Sequence, residues 1–94
     1  MVPTPRIVQP PHELDPSTAA ALDAALGIYD AEEHCVVDFA AVTFCDSSGL
    51  RVLITHCLRH LEAGSDLHVI NISAALRRVF TRAGVAVMFG LDEH

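Results

Sequence analysis

The chain has 94 residues, with twelve acidic side chains against six arginines, no lysine, and a formal net charge of −6. That balance repels phosphate backbones and anionic lipid surfaces, so nucleic acid is not an expected partner. Hydrophobic residues make up 51%, yet no apolar run reaches the ~18 residues of a membrane span. The opening MVPTPRIVQPPHELD carries prolines and acids where a signal peptide has a continuous apolar stretch. The expected setting is the cytoplasm, and the expected organisation one domain over residues 1–94. An odd count of three cysteines without a CxxC motif, Cys35, Cys45 and Cys57, points to reduced, mostly buried thiols.

In chain order, Ile7–Gln9 reads as a short strand. Pro10 and Pro11 follow it and suit only the edge of a sheet. Ser17 is the candidate N-cap of a helix over Thr18–Leu26, with Ala21, Leu22, Ala25 and Leu26 inward and Gly27 as its stop. CVVDFAAVTF (Cys35–Phe44) is β-branched and apolar like one buried strand. From Ser47 to Glu62 the apolar residues Leu50, Leu53, Ile54, Cys57, Leu58 and Leu61 fall at helical spacing, and Ala63 and Gly64 close that helix. Asp66–Ile72 alternates as a strand. Ser73 caps a third helix with Leu76, Val79, Phe80 and Ala83 as its apolar positions and Gly84 as its end; Val85–Phe89 reads as a last strand. The order β-α-β-α-β-α-β predicts an α/β fold, a mixed but mostly parallel sheet covered by helices through right-handed crossovers.

The stretch TFCDSSGLRVL (Thr43–Leu53) places Asp46, Ser47, Ser48 and Gly49 where a strand gives way to a helix. Backbone N–H groups and the positive end of the helix dipole are exposed there, so a negative group is favoured. One chemistry compatible with this is a small phosphatase, because Cys45 and Arg51 have the C-x5-R spacing of tyrosine phosphatases. Asp46 beside Cys45 opposes both a thiolate and an incoming phosphate. A serine hydrolase elbow, G-x-S-x-G, is not matched, since Cys45 stands in the first glycine's place, and neither His68 nor His94 has the context of a base. His56 and His60 stand at i, i+4 without the HExxH pattern, and with Arg59 beside them they read as a solvated face; no metal and no cofactor are assigned. Arg77, Arg78 and Arg82 read as a solvated helix face.

Three segments resemble the STAS domain of bacterial anti-sigma factor antagonists: ELDPSTAAALDAAL (Glu13–Leu26), VVDFAAVTFCDSSGLRVL (Val36–Leu53) and LHVINISAALRRVFTRAGV (Leu67–Val85). DSSGL is the most telling element, and the likeness runs from about Ile7 to Phe89. The resemblance implies a protein without catalysis of its own that binds an anti-sigma factor kinase while unmodified and releases it once phosphorylated. By position the phosphoacceptor is Ser48, with Ser47 beside it, Asp46 at the start of the helix and Asp15 of ELD in the neighbouring loop; Gly49 keeps the loop narrow for a close-approaching partner. Within the same family a non-phosphorylated subunit of a lipid-transport or stress-signalling complex is the alternative. Two departures stand out. The family's first strand has no counterpart here, which predicts an exposed edge and either self-association, for example as a homodimer, or modest stability. His12 replaces a common glycine beside the phosphorylation site.

Overall fold

The computed structural model describes residues 6–91. Three parallel strands, β1 (Arg6–Val8), β3 (Cys35–Asp38) and β5 (Leu67–Ile70), form one sheet in the order β1-β3-β5. Two short strands, β2 (Glu13–Leu14) and β4 (Phe44–Cys45), make a second parallel pair. The helices are α1 (Ala19–Gly27), α2 (Ser47–Glu62) and α3 (Ala74–Arg82). Every strand pairing among the described residues is parallel, so the mostly parallel sheet implied by the crossover order is found, without an antiparallel member. Among the described residues β1 lies at the edge as expected, one residue earlier than the sequence suggested.

The inner face of the larger sheet follows from the period of two: Val8, Cys35, Val37, Leu67 and Val69 are buried, while Ile7, His68 and Ile70 are exposed. Leu22 and Leu26 of α1 and Leu53 and Cys57 of α2 join the same core. At the α3 end, Phe39, Phe80 and Phe89 pack edge to face, with ring centroids 5.8 and 5.2 Å apart. The three cysteines are free and buried.

Several expectations are corrected. Cys35–Phe44 is two strands, because the Asp38 carboxylate accepts the Ala40 N–H at 2.9 Å and turns the chain, after which β4 finds β2 as its partner. Val85–Phe89 is not a strand: Val87–Phe89 forms a 3-10 turn whose Phe89 packs on Phe80. Ser17 does not cap α1. Thr18 occupies that position without a side-chain cap bond, and the turn is held by the Asp15 carboxylate, which accepts from Ser17 N, Ser17 Oγ and Thr18 N. Gly27 is the last helical residue rather than a left-handed stop, whereas Gly64 and Gly84 do end their helices at φ +88° and +75°. Ala21 and Ala83 are exposed, as are Leu58 and Leu61 at 47% each.

The largest correction concerns the two histidines of α2. Neither faces solvent: His56 is 6% and His60 1% exposed. The His56 ring lies against α1, with Nε2 2.7 Å from Asp23 Oδ1. Arg59 Nη2 donates to the Leu26 and Tyr29 carbonyls at the end of α1. Ser65 Oγ donates to the Ala31 carbonyl, so its interaction with His60 Nδ1 at 3.0 Å has the imidazole as donor. His60 Nε2 is then an acceptor without a partner in the core. Burial, reinforced by the Arg59 cation, holds this imidazole below the usual histidine range. The unfolded chain therefore takes up a proton more readily than the native one. Stability is full above about pH 6.5 and falls as the pH drops below it, with a limiting slope of about 1.4 kcal/mol per pH unit for one proton. Urea unfolding at pH 7 and pH 5.5 should show a lower midpoint at the acidic pH for the wild type, with a smaller drop in His60→Leu. An equal drop in both proteins would remove His60 from this account.

Candidate functional site

The parallel register of Glu13 with Phe44 and Leu14 with Cys45 fixes the site, because both strands then end side by side. The next residues are Asp15 on one chain segment and Asp46 on the other. Asp46 N donates to the Leu14 carbonyl at 3.0 Å, and Thr43 N to the His12 carbonyl at 2.7 Å, so the His12–Asp15 loop is tied along the strand that leads into α2. In α/β folds the carboxyl ends of parallel strands are where ligands and partners meet the protein. The structure thus brings together Asp15, Asp46, Ser47, Ser48 and Gly49, with His12 nearby.

Asp46 is the N-cap of α2, its Oδ1 accepting the Ser48 N–H at 2.8 Å. Ser47 is exposed, whereas Ser48 is half-buried. Neither serine hydroxyl is tied into a hydrogen bond among the described residues. Asp15 serves its own turn: hydrogen bonding, chiefly from the Ser17 hydroxyl, holds its carboxyl below the usual carboxylate range.

Gly49 does something other than expected. It is buried in the first turn of α2, and a Cβ added there would lie 2.6 Å from Leu14 Cβ, 3.2 Å from Leu14 O and 3.3 Å from Cys45 Sγ. The missing side chain admits β2, not an external partner.

Cys45 points into this junction. Burial, then the Asp46 charge, pushes its thiol up to about 11, and no thiolate nucleophile is prepared there. Arg51 is exposed along the outer side of α2, where it lines a groove with Ser47. Sequence reasoning missed Phe44. This aromatic is 47% exposed at the start of β4, close to the site, and the signal was available in the alternation of the strand, which turns Cys45 in and Phe44 out.

Among the described residues, no helix is long and apolar enough to cross a membrane. A family model described as "Mlab, STAS domain" matches residues 12–91, a span that contains every residue of this site.

Proposed function

The chain belongs to the STAS domain family, and from that membership we propose that it is an anti-sigma factor antagonist working by partner switching. Unmodified, it binds an anti-sigma factor kinase through the surface around Asp15, Asp46, Ser47 and Ser48; phosphorylated on Ser48, it lets go. The observation that carries this reading is the start of α2. Two serine hydroxyls stand there without a hydrogen bond among the described residues, at a helix N-terminus beside the end of β2. Modifying one of them breaks no hydrogen bond among the described residues. Reduced, buried cysteines support a cytoplasmic setting. The direct test is a pull-down from the native host with wild type, Ser48→Ala and Ser48→Asp. An anti-sigma factor retained by the first two and lost by the third supports the switch.

The half-burial of Ser48 favours a second reading, a STAS subunit that is never phosphorylated and serves as a fixed part of a larger complex. In that case Ser48→Asp keeps the same partners as wild type, and no associated kinase labels the serine.

We also propose that the domain has no catalytic activity. A thiol pushed up to about 11 is almost wholly protonated at neutral pH, the reverse of what a Cys-dependent phosphatase requires. Purified protein should not hydrolyse an aryl phosphate. Turnover that disappears in Cys45→Ser would reinstate the phosphatase reading.

A further inference from the structure

The two connections that lead from the larger sheet to the β2–β4 pair, residues 9–12 and 39–43, leave a crevice of about 240 Å³ between them at the carboxyl ends of β1 and β3. Pro10, Ala40 and Ala41 are its apolar walls, and Gln9, His12 and Asp38 supply its polar groups. Asp38 is fixed through one oxygen only. Its Oδ1 accepts from the Ala40 N–H at 2.9 Å and from Asn71 Nδ2 at 3.1 Å, and Asn71 makes that contact from φ +57°, a left-handed backbone uncommon outside glycine. Asp38 Oδ2 accepts no hydrogen bond, and the carboxylate has no ion pair, among the described residues. The two donors hold this carboxyl below the usual carboxylate range, so it is charged. No Arg or Lys occurs between Arg6 and Arg51, so neither connection carries a permanent cation to take up the free oxygen.

Charge complementarity sets the sign of the occupant, and the walls set its shape. An oriented carboxylate oxygen beside a carboxamide, between apolar walls, fits a flat group with several donors on a hydrocarbon stem. A guanidinium has that form and is weakly hydrated, whereas an ammonium is a compact point charge that keeps its water. We propose that this crevice receives an arginine side chain of the partner protein, its guanidinium on Asp38 Oδ2 and the Gln9 carboxamide, its methylenes along Pro10, Ala40 and Ala41. The inference rests on the reading that the start of α2 faces the partner. Thr43 N and Oγ1 both donate to the His12 carbonyl, so one wall of the crevice is tied to the strand that leads into α2. A partner seated over Asp46 and Ser48 therefore has the crevice at the margin of the same surface.

The test uses the 94-residue protein and three small probes, the N-acetyl amides of arginine, citrulline and lysine; citrulline keeps the shape of arginine without its charge. Amide chemical shifts report where each binds. The arginine probe should move the amides of Gln9, His12, Asp38, Ala40 and Ala41 to saturation, the lysine probe should bind several-fold more weakly, and citrulline should leave them unmoved. Asp38→Asn keeps an oxygen for Ala40 and Asn71, and should lower the arginine affinity about tenfold, the size of one charge-assisted hydrogen bond. Ala40→Arg leaves the backbone N–H of the turn in place and should abolish the response by supplying the cation from within. Equal shifts with citrulline or lysine, shifts located elsewhere, or an unchanged response in both variants overturns the proposal. So does displacement of the arginine probe by Mg²⁺ or Zn²⁺ at these amides, or concentration-dependent shifts without any probe, which would assign the crevice to a metal ion or to a second copy. Pull-down from the native host separates this inference from the switch. A protein retained by Asp38→Asn and Ala40→Arg but lost by Ser48→Asp removes the crevice and keeps the switch. Loss by both crevice variants, with retention by Ser48→Asp, keeps the crevice and removes the switch.

Discussion

Phosphorylation of Ser48 should weaken partner binding by about two orders of magnitude while leaving the fold in place. Phosphoserine brings roughly −1.5 to −2 charges to the start of α2. Dipole and amide contacts at a helix N-terminus are worth about 0.3–1 kcal/mol. Here the Ser48 N–H already donates to Asp46, so the phosphate competes with a carboxylate for the same amides and part of that gain is lost. The hydroxyl it replaces makes no hydrogen bond among the described residues. Circular dichroism and the melting temperature should therefore stay close to those of the unmodified protein. The interface responds differently. A partner packed over this turn meets a charged group where it was shaped for a hydroxyl, and a charge left unpaired on burial costs several kcal/mol. At about 1.4 kcal/mol per tenfold, a cost near 3 kcal/mol gives the two decades. Titration calorimetry with the phosphorylated and unphosphorylated protein measures it; equal affinities would leave the fixed-subunit reading in possession.

Gly49→Val should destabilise the fold by about 3 kcal/mol, and Gly49→Ala by about 1–2 kcal/mol, in urea unfolding. On an exposed helix the alanine would be stabilising by up to about 1 kcal/mol. At this position its Cβ would lie 2.6 Å from Leu14 Cβ, and the β2 backbone carbonyl stands directly behind it. Overpacking a filled junction costs roughly 1–3 kcal/mol, which outweighs the helical gain. Valine adds two methyl groups in the same place and restricts its own χ1 within a helix. For a domain whose whole stability is of order 5–15 kcal/mol the loss is large. An alanine variant at least as stable as wild type would show that β2 yields without cost.

The features legible in the sequence were those fixed by local chemistry. α2 runs over the predicted span, Ser47–Glu62, because Asp46 and the small residues at its start and Gly64 at its end act within a few residues of themselves. Ser73 caps α3 by accepting the Leu76 N–H, and Leu67–Ile70 alternates between buried and exposed as its pattern indicates. What was illegible depends on partners far along the chain. The burial of His56 needs Asp23, which nothing in the helix itself reveals. Likewise, Ala40 and Ala41 carry no turn signature, and it is the Asp38 side chain and the β2–β4 pairing that divide the apolar run around them. Val85–Phe89 has the composition of a strand, but after Gly84 the chain folds back on Phe80 instead of joining a sheet. At the site, the neighbourhood of Asp15 and Asp46 followed from family resemblance, while the true use of Gly49 required the position of Leu14.

The all-parallel pairing also governs how the chain reaches this shape. Arg6 must find Cys35, Glu13 must find Phe44, and Cys35 must find Leu67, each across about thirty residues. No tight hairpin can start the sheet, since parallel neighbours need a crossover between them. Loop closure therefore precedes every ladder contact, which places this small domain among slower folders than its helix content alone suggests. The central strand Cys35–Asp38 takes part in both pairings of the larger sheet, so its amides should be the last to exchange with solvent, whereas Arg6–Val8 and Leu67–Ile70, each joined on one side only among the described residues, open earlier.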